Sequence, residues 1–259
     1  MSLTDKEALV CGSTQGIGLA IARELAHLGA NCTLLARNQE SLKKAIESLD
    51  VSEGQHHRYL VADFSDSSQV RDVIAAHVKE HAVHILVNNT GGPPAGPITE
   101  ADPAGFMKYF EQHIVCNQIL VQHCLPSMKA EGFGRIINVI STSVRIPIEN
   151  LGVSNTIRGA TASWAKTLSN EVAQFGITVN NILPGFTKTE RLNALIRNIA
   201  SRKGLDVETV AEQMAAEVPV RRFGEAEEIA AVAAFLATPA AAYVNGVSIP
   251  VDGGRTGSI

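Results

Sequence analysis

The residues near the start of the chain best suited to chemistry are Gly12-Ser13-Thr14-Gln15-Gly16-Ile17-Gly18. They follow a short apolar run, Ala8 to Cys11, and open a stretch with helical spacing, Ile17 to Leu28. A glycine-rich turn between a strand and a helix can seat a diphosphate. Gly12 would permit the tight turn, Gly16 would let the backbone approach the phosphates, and Gly18 would let the helix pack close to the sheet. The free N–H groups and dipole at the helix start would favour the phosphate charge. The spacing is G-x3-G-x-G rather than G-x-G-x2-G, so a helix start with packing glycines is the competing reading.

A second apolar run ends Leu35-Ala36-Arg37-Asn38, and no acidic residue occurs between Glu24 and Glu40. In dinucleotide folds an acid at this point holds a ribose 2′-hydroxyl, whereas an arginine suits a 2′-phosphate. Arg37 therefore predicts NADP(H) over NAD(H). The alternative is a solvated surface arginine.

Apolar runs alternate with longer helical stretches along the whole chain. Strands are expected at Ala8–Cys11, Cys32–Ala36, Tyr59–Ala62, Ile85–Val87, Ile136–Ile140, Ile177–Leu183 and Val247–Val251. Helices are expected between them, including one long helix over about 103–129 and another over about 154–174. Helices of this length between strands imply parallel pairing with crossovers. Solid apolar strands imply a sheet covered on both faces. The predicted fold is α/β, a single doubly wound Rossmann-type domain over residues 1–259 with about seven parallel strands.

Composition narrows the function. The 259 residues carry a net charge of −4, so no basic field attracts nucleic acid or anionic membrane. No apolar run approaches the roughly 18 residues of a spanning helix. The N-terminus has neither a basic nor an apolar signal region. Cys11, Cys32, Cys116 and Cys124 form no CxxC pair and read as reduced core residues. A cytoplasmic protein is expected. His77, His81 and His84 only loosely resemble metal-ligand spacing; with no HExxH and no matching carboxylate or cysteine set, they read as a solvated helix end and no metal is expected.

With these motifs in order, the chain resembles the short-chain dehydrogenase/reductases, and among them the 3-oxoacyl-acyl-carrier-protein reductases. The glycine turn is similar to that family's TGxxxGIG, with Cys11 in the threonine position. Asp63, in Val-Ala-Asp-Phe64, matches the acid that contacts adenine. Asn88-Asn89-Thr90-Gly91 is similar to NNAG, Pro184-Gly185-Phe186-Thr187 to the loop near the nicotinamide, and Val251-Asp252-Gly253-Gly254 to the C-terminal VDGG. The resemblance implies a cofactor site of Gly12 to Gly18, Arg37, Asp63, Phe64, Asn89, Gly91, Pro184, Gly185 and Thr187. It also implies a homotetramer or homodimer.

The family's carbonyl reduction uses a tyrosine as proton donor, a lysine four residues later, a serine that positions the carbonyl, and an asparagine that supports a water relay. Ser141 takes the serine position by this resemblance. Ser154 stands in the tyrosine position, Arg158 in the lysine position and His113 in the asparagine position. No tyrosine occurs between Tyr109 and Tyr243, so realignment does not restore the motif. A serine hydroxyl is a much weaker acid than tyrosine, and an arginine stays charged but can bond a ribose or phosphate as a fixed fork. His113 is the nearby group whose ordinary pKa suits proton donation near neutrality. It is the candidate replacement donor on position alone, and a partly buried histidine that only hydrogen-bonds the backbone is the favoured reading.

Residues 187–218 match the family's substrate-covering segment and carry Lys188, Arg191, Arg197, Arg202 and Lys203, which would suit an anionic or carrier-linked carbonyl substrate; Arg145 is a further candidate for that pocket. The leading expectation is an NADP(H)-dependent oxidoreductase with an altered proton donor. Two alternatives remain: a nucleotide-binding sensor or partner subunit without turnover, and elimination or hydration chemistry on the same fold.

Overall fold

All seven apolar runs are strands, and together they make one sheet. The computed structural model describes residues 1–257. Its strands are β1 (Glu7–Cys11), β2 (Asn31–Ala36), β3 (Arg58–Val61), β4 (Ile85–Asn88), β5 (Gly134–Val139), β6 (Ile177–Pro184) and β7 (Ser248–Val251). They lie in the order β3-β2-β1-β4-β5-β6-β7, with every pair parallel. Parallel strands put all their C-terminal ends at one edge. The order reverses between β1 and β4, where a doubly wound sheet opens a crevice for a ligand.

The helices are α1 (Gly16–His27), α2 (Gln39–Ile46), α3 (Ser67–His77), α4 (Pro103–Phe110), α5 (Cys116–Glu131), α6 (Gly152–Val172), α7 (Glu190–Lys203), α8 (Val207–Ala216) and α9 (Ala226–Ala237). Apolar residues of α1, α2 and α9 pack one face of the sheet, and those of α3, α5 and α6 pack the other. Both faces of the central strands are therefore dry, which is why their sequences do not alternate. The four cysteines are free and buried among these residues, and burial pushes their thiols upward. They are inert core residues.

Two expectations are corrected. The helix over about 103–129 is interrupted: residues Glu111–Val115 form a π-helical turn between α4 and α5. His77 and His84 are buried, not solvated. His84 ties β1 to α5: its Nδ1 accepts from the Glu7 N–H at 2.8 Å, and its Nε2 meets Glu131 at 2.6 Å. Residues 187–218 hold two helices, α7 and α8, around a separate apolar cluster of Leu192, Ile196, Ala200, Val210 and Met214.

Strand register also builds a buried polar row. Asn88 pairs with Asn138, Asn138 with Asn181, and Asn181 with Ser248. The Nδ2 of Asn88 donates to Asn138 at 2.8 Å, that of Asn138 to Asn181 at 3.0 Å, and that of Asn181 to the Ser248 hydroxyl at 3.1 Å. The row crosses four strands just below the edge that carries the crevice.

Candidate active site

Side-chain caps close α2, α3, α4, α7 and α8 at their N-termini, through Asn38, Asp66, Asp102, Thr189 and Asp206. The N-cap of α1, Gln15, is extended and makes no such bond. The first N–H groups of α1 thus keep their donor capacity at the crevice, as an anion site requires. Gly12 turns off β1 with φ +58°, a conformation costly for any side chain. The Asn89 Nδ2 clasps this turn, donating to the Cys11 and Gly12 carbonyls at 3.3 and 3.2 Å. The end of β4 therefore holds the phosphate turn in shape. The Ser13 hydroxyl is buried with no partner.

A cleft of about 950 Å³ runs from this turn across the sheet edge. It is lined by Gly12, Gln15, Gly16 and Ile17, by Asn89, Thr90 and Gly91, by Ser141, Ser154 and Arg158, and by Pro184, Gly185 and Thr187. Ser13, Thr14 and Gly18 build the turn without lining the cleft. Arg37, Asp63 and Phe64 stand beyond β2 and β3. Arg37 is exposed and makes no hydrogen bond or ion pair among the described residues. The Asp63 carboxylate accepts from the Ser65 N–H at 2.8 Å, which, with a smaller contribution from the Arg37 charge, holds its pKa below the usual range. An adenosine ribose reaching past β2 would meet both groups. The uncapped helix start, the clasped turn, the orphaned Ser13 hydroxyl and the free Arg37 fit a phosphorylated dinucleotide.

Ser141 follows β5, and its Oγ accepts from the Ser143 N–H at 3.1 Å. Its own hydrogen is thus left to point elsewhere. Ser154 and Arg158 lie one turn apart on α6 and are both buried. Arg158 donates from Nη1 to the Val139 carbonyl at 3.0 Å, while its Nε has no partner. Burial, followed by the Arg191 charge, lowers its pKa to about 10. It remains charged at neutral pH and acts by charge and hydrogen bonding, not by proton exchange.

His113 is buried in the π-turn with both nitrogens engaged. Nε2 lies 3.2 Å from the Gly91 carbonyl, which can only accept, so this nitrogen carries the proton. Nδ1 then accepts from the Thr90 hydroxyl at 2.9 Å. Burial, followed by the Arg158 charge, lowers its pKa to about 3. The expectation that His113 protonates a substrate oxygen is not met by this geometry; the ring instead fixes the Thr90–Gly91 loop. A pH effect follows. Below pH 6.5 the unfolded chain takes up a proton that the folded chain refuses, so stability falls with pH. From pH 7 to 5 this one residue costs about 2 kcal/mol. His77, lowered to about 4 by burial, adds in the same direction. Urea melts at the two pH values should show a shallower pH dependence in His113→Asn than in the parent.

Arg145 does not reach the cleft; it is exposed and bonds the Ser248 carbonyl at 3.4 Å. Among the lining residues that spacing alone did not assign to the site are Tyr109 from α4 and Thr189 at the start of α7. Arg191, which the sequence offers only as one of several lid charges, also lines the cleft, bonding the Gly92 and Pro93 carbonyls at 3.1 and 3.2 Å. A neighbouring cavity of about 850 Å³ under α7 shares Thr142, Leu151 and Phe186 with the cleft. Among the described residues no group of three or more His, Cys, Asp or Glu could hold a metal ion, and no helix is long and apolar enough to cross a membrane.

Comparison with known proteins agrees with this architecture. The family model described as Enoyl-(Acyl carrier protein) reductase matches residues 12–256. The NADPH-dependent reductase BacG of Bacillus subtilis (strain 168) is 29% identical over 259 residues, covering 99% of this chain and 100% of its own. The D-beta-hydroxybutyrate dehydrogenase of Rhizobium meliloti (strain 1021) is 33% identical, covering 97% and 98%. The crystal structure of L-sorbose reductase from Gluconobacter frateurii, complexed with NADPH and L-sorbose, superposes with a TM-score of 0.93 at 31% identity, covering 100% and 99%. The chain belongs to the short-chain dehydrogenase/reductase family.

Proposed function

We propose that the chain is an NADP(H)-dependent reductase of a small or carrier-linked carbonyl compound, 3-oxoacyl-like in character, with an atypical route for the proton. The observation that carries this reading is that Ser141, Ser154 and Arg158 line one cleft with the dinucleotide turn. NADP(H), when bound, supplies the hydride. The Ser141 hydroxyl, with its oxygen already bonded to Ser143, donates to the substrate oxygen and fixes the carbonyl. The Arg158 charge stabilises the negative charge that develops there, an electrostatic role strengthened by burial. Ser154 passes a proton from solvent, because no tyrosine stands between Tyr109 and Tyr243 to deliver it.

The reading includes a lid of residues 187–218 over the substrate, a cytoplasmic location, and a dimer or tetramer. Met107 and Phe110 of α4 are exposed apolar side chains that favour a covered face. The second reading is a nucleotide-binding sensor or partner subunit without turnover. Serine and arginine on α6, in place of groups that exchange protons near neutrality, favour it.

The test is calorimetric titration with NADPH and NADH, followed by NADPH oxidation against a panel of carbonyl compounds. NADPH is expected to bind more tightly. Arg37→Ala is expected to weaken NADPH by about 10- to 100-fold, the worth of one charge-assisted contact to a phosphate, and to leave NADH unchanged. Binding of NADPH without oxidation by any carbonyl supports the second reading. Binding of neither nucleotide overturns both.

A further inference from the structure

Arg158 and Arg191 come from different helices yet converge on one point. A Cβ added to Gly92 would lie 2.9 Å from Nη2 of Arg158, and 2.9 and 3.0 Å from Nη2 and Nη1 of Arg191. Two guanidinium groups this close repel, and Arg158 is only 7% exposed. A buried charge is normally paired. Here the described residues supply no counter-charge. Neither arginine forms an ion pair among the described residues; both rest on backbone carbonyls. The carboxylate adjacent in sequence, Glu190, is held by Arg197 at 2.6 Å. The nearby cations Lys188 and Arg255 do have partners, Glu225 and Glu217. The Arg158 Nε is a buried donor with nothing to bond.

Two unpaired planar forks, one buried and one on a segment that covers the cleft, match the donor geometry that carboxylates and phosphates prefer. We propose that Arg158 and Arg191 together form an oxyanion site for a carboxylate on the substrate, so that the reducible group is presented to the cofactor by a charged tail. The inference rests on the reductase reading and narrows its substrate class to small carboxylic acids bearing a reducible group. An anion between the two arginines relieves their repulsion and ties α7 to α6, closing the cleft over the bound acid. The start of α1, which lines the same cleft, would seat the NADP(H) diphosphate. That diphosphate remains the other source of oxyanion oxygens within reach.

The experiment separates these sources. Protein saturated with NADPH is titrated calorimetrically with pyruvate, phenylpyruvate and benzoate, and with their methyl esters. The expected result is that at least one acid binds about tenfold or more tightly than its ester, and that Arg191→Gln abolishes the preference by weakening the acid about 10- to 100-fold. NADPH affinity, measured separately on the same variant, should change less than about threefold. The proposal is overturned if Arg191→Gln weakens NADPH as much as the acids, which would assign the pair to the diphosphate. It is equally overturned if no acid is preferred over its ester. Failure of NADPH itself to bind the parent protein would sink the reductase reading instead, and is scored before any acid is added.

Discussion

Asn138→Leu is expected to destabilise the protein by about 3–5 kcal/mol while leaving its shape close to the parent's. Leucine is close in size to asparagine, so neither a large cavity nor severe overpacking is created. The cost lies in the neighbours. The Asn88 Nδ2 would lose its acceptor, the Asn181 Oδ1 would lose its donor, and both side chains are buried. A buried polar group left without a partner costs about 1–3 kcal/mol, and two are orphaned at once. Buried side-chain networks can hold more than the sum of their pairs, although this row already leaves the Asn88 Oδ1 without a partner. Urea unfolding followed by circular dichroism reads the change. A loss under about 1 kcal/mol would mean that water or repacking satisfies both neighbours and that the row contributes little.

Gly18→Ala is expected to cost at least about 100-fold in NADPH affinity, or about 2.7 kcal/mol. A Cβ at this position would strike the Gly12 carbonyl oxygen and lie 2.7 Å from the Asn89 Nδ2. The first obstacle is backbone, so it cannot swing aside; the second is the clasp on the phosphate turn. Relief requires α1 to move away from the turn, which separates the helix N–H groups from the oxygens they should hold. Overpacking of this sort also costs about 1–3 kcal/mol of stability. Calorimetry with NADPH, paired with a thermal melt, checks both effects. Unchanged affinity with a lowered melting temperature would confine Gly18 to a packing role.

The sequence made the sheet readable because its strands are mostly apolar and do not alternate apolar with polar residues, as occurs where both faces are covered. The phosphate turn was equally plain, since its glycines sit between a strand and a helix. Other features depend on facts that spacing does not encode. Asn88, Asn138 and Asn181 are far apart in the chain and become a row only once register aligns them. Residue spacing carries no distinct mark of a π-turn, so the orientation of His113 was not legible in the sequence. Its residue type suggested a proton donor; the Gly91 carbonyl and the Thr90 hydroxyl leave its ring no proton to give to the cleft. His84 precedes a strand and follows a helix, a place that suggested solvent, yet it is enclosed between β1 and α5. Arg191 was visible only as one charge among five, because which lid residue turns inward is set by the cap at Thr189 and the turn of α7.

The small apolar cluster of Leu192, Ile196, Ala200, Val210 and Met214 shares no residue with the two clusters that flank the sheet. That separation bears on how the molecule can change over evolutionary time. Substitutions within α7 and α8 disturb a core of five buried side chains, not the main body, so a segment whose residues line the cleft can be rewritten with little risk to folding. Sequence drift there changes the lining of the cleft, while the dinucleotide turn stays held by β1 and by the Asn89 clasp after β4. Selection can therefore act on the lining of the cleft and on stability through largely separate sets of positions.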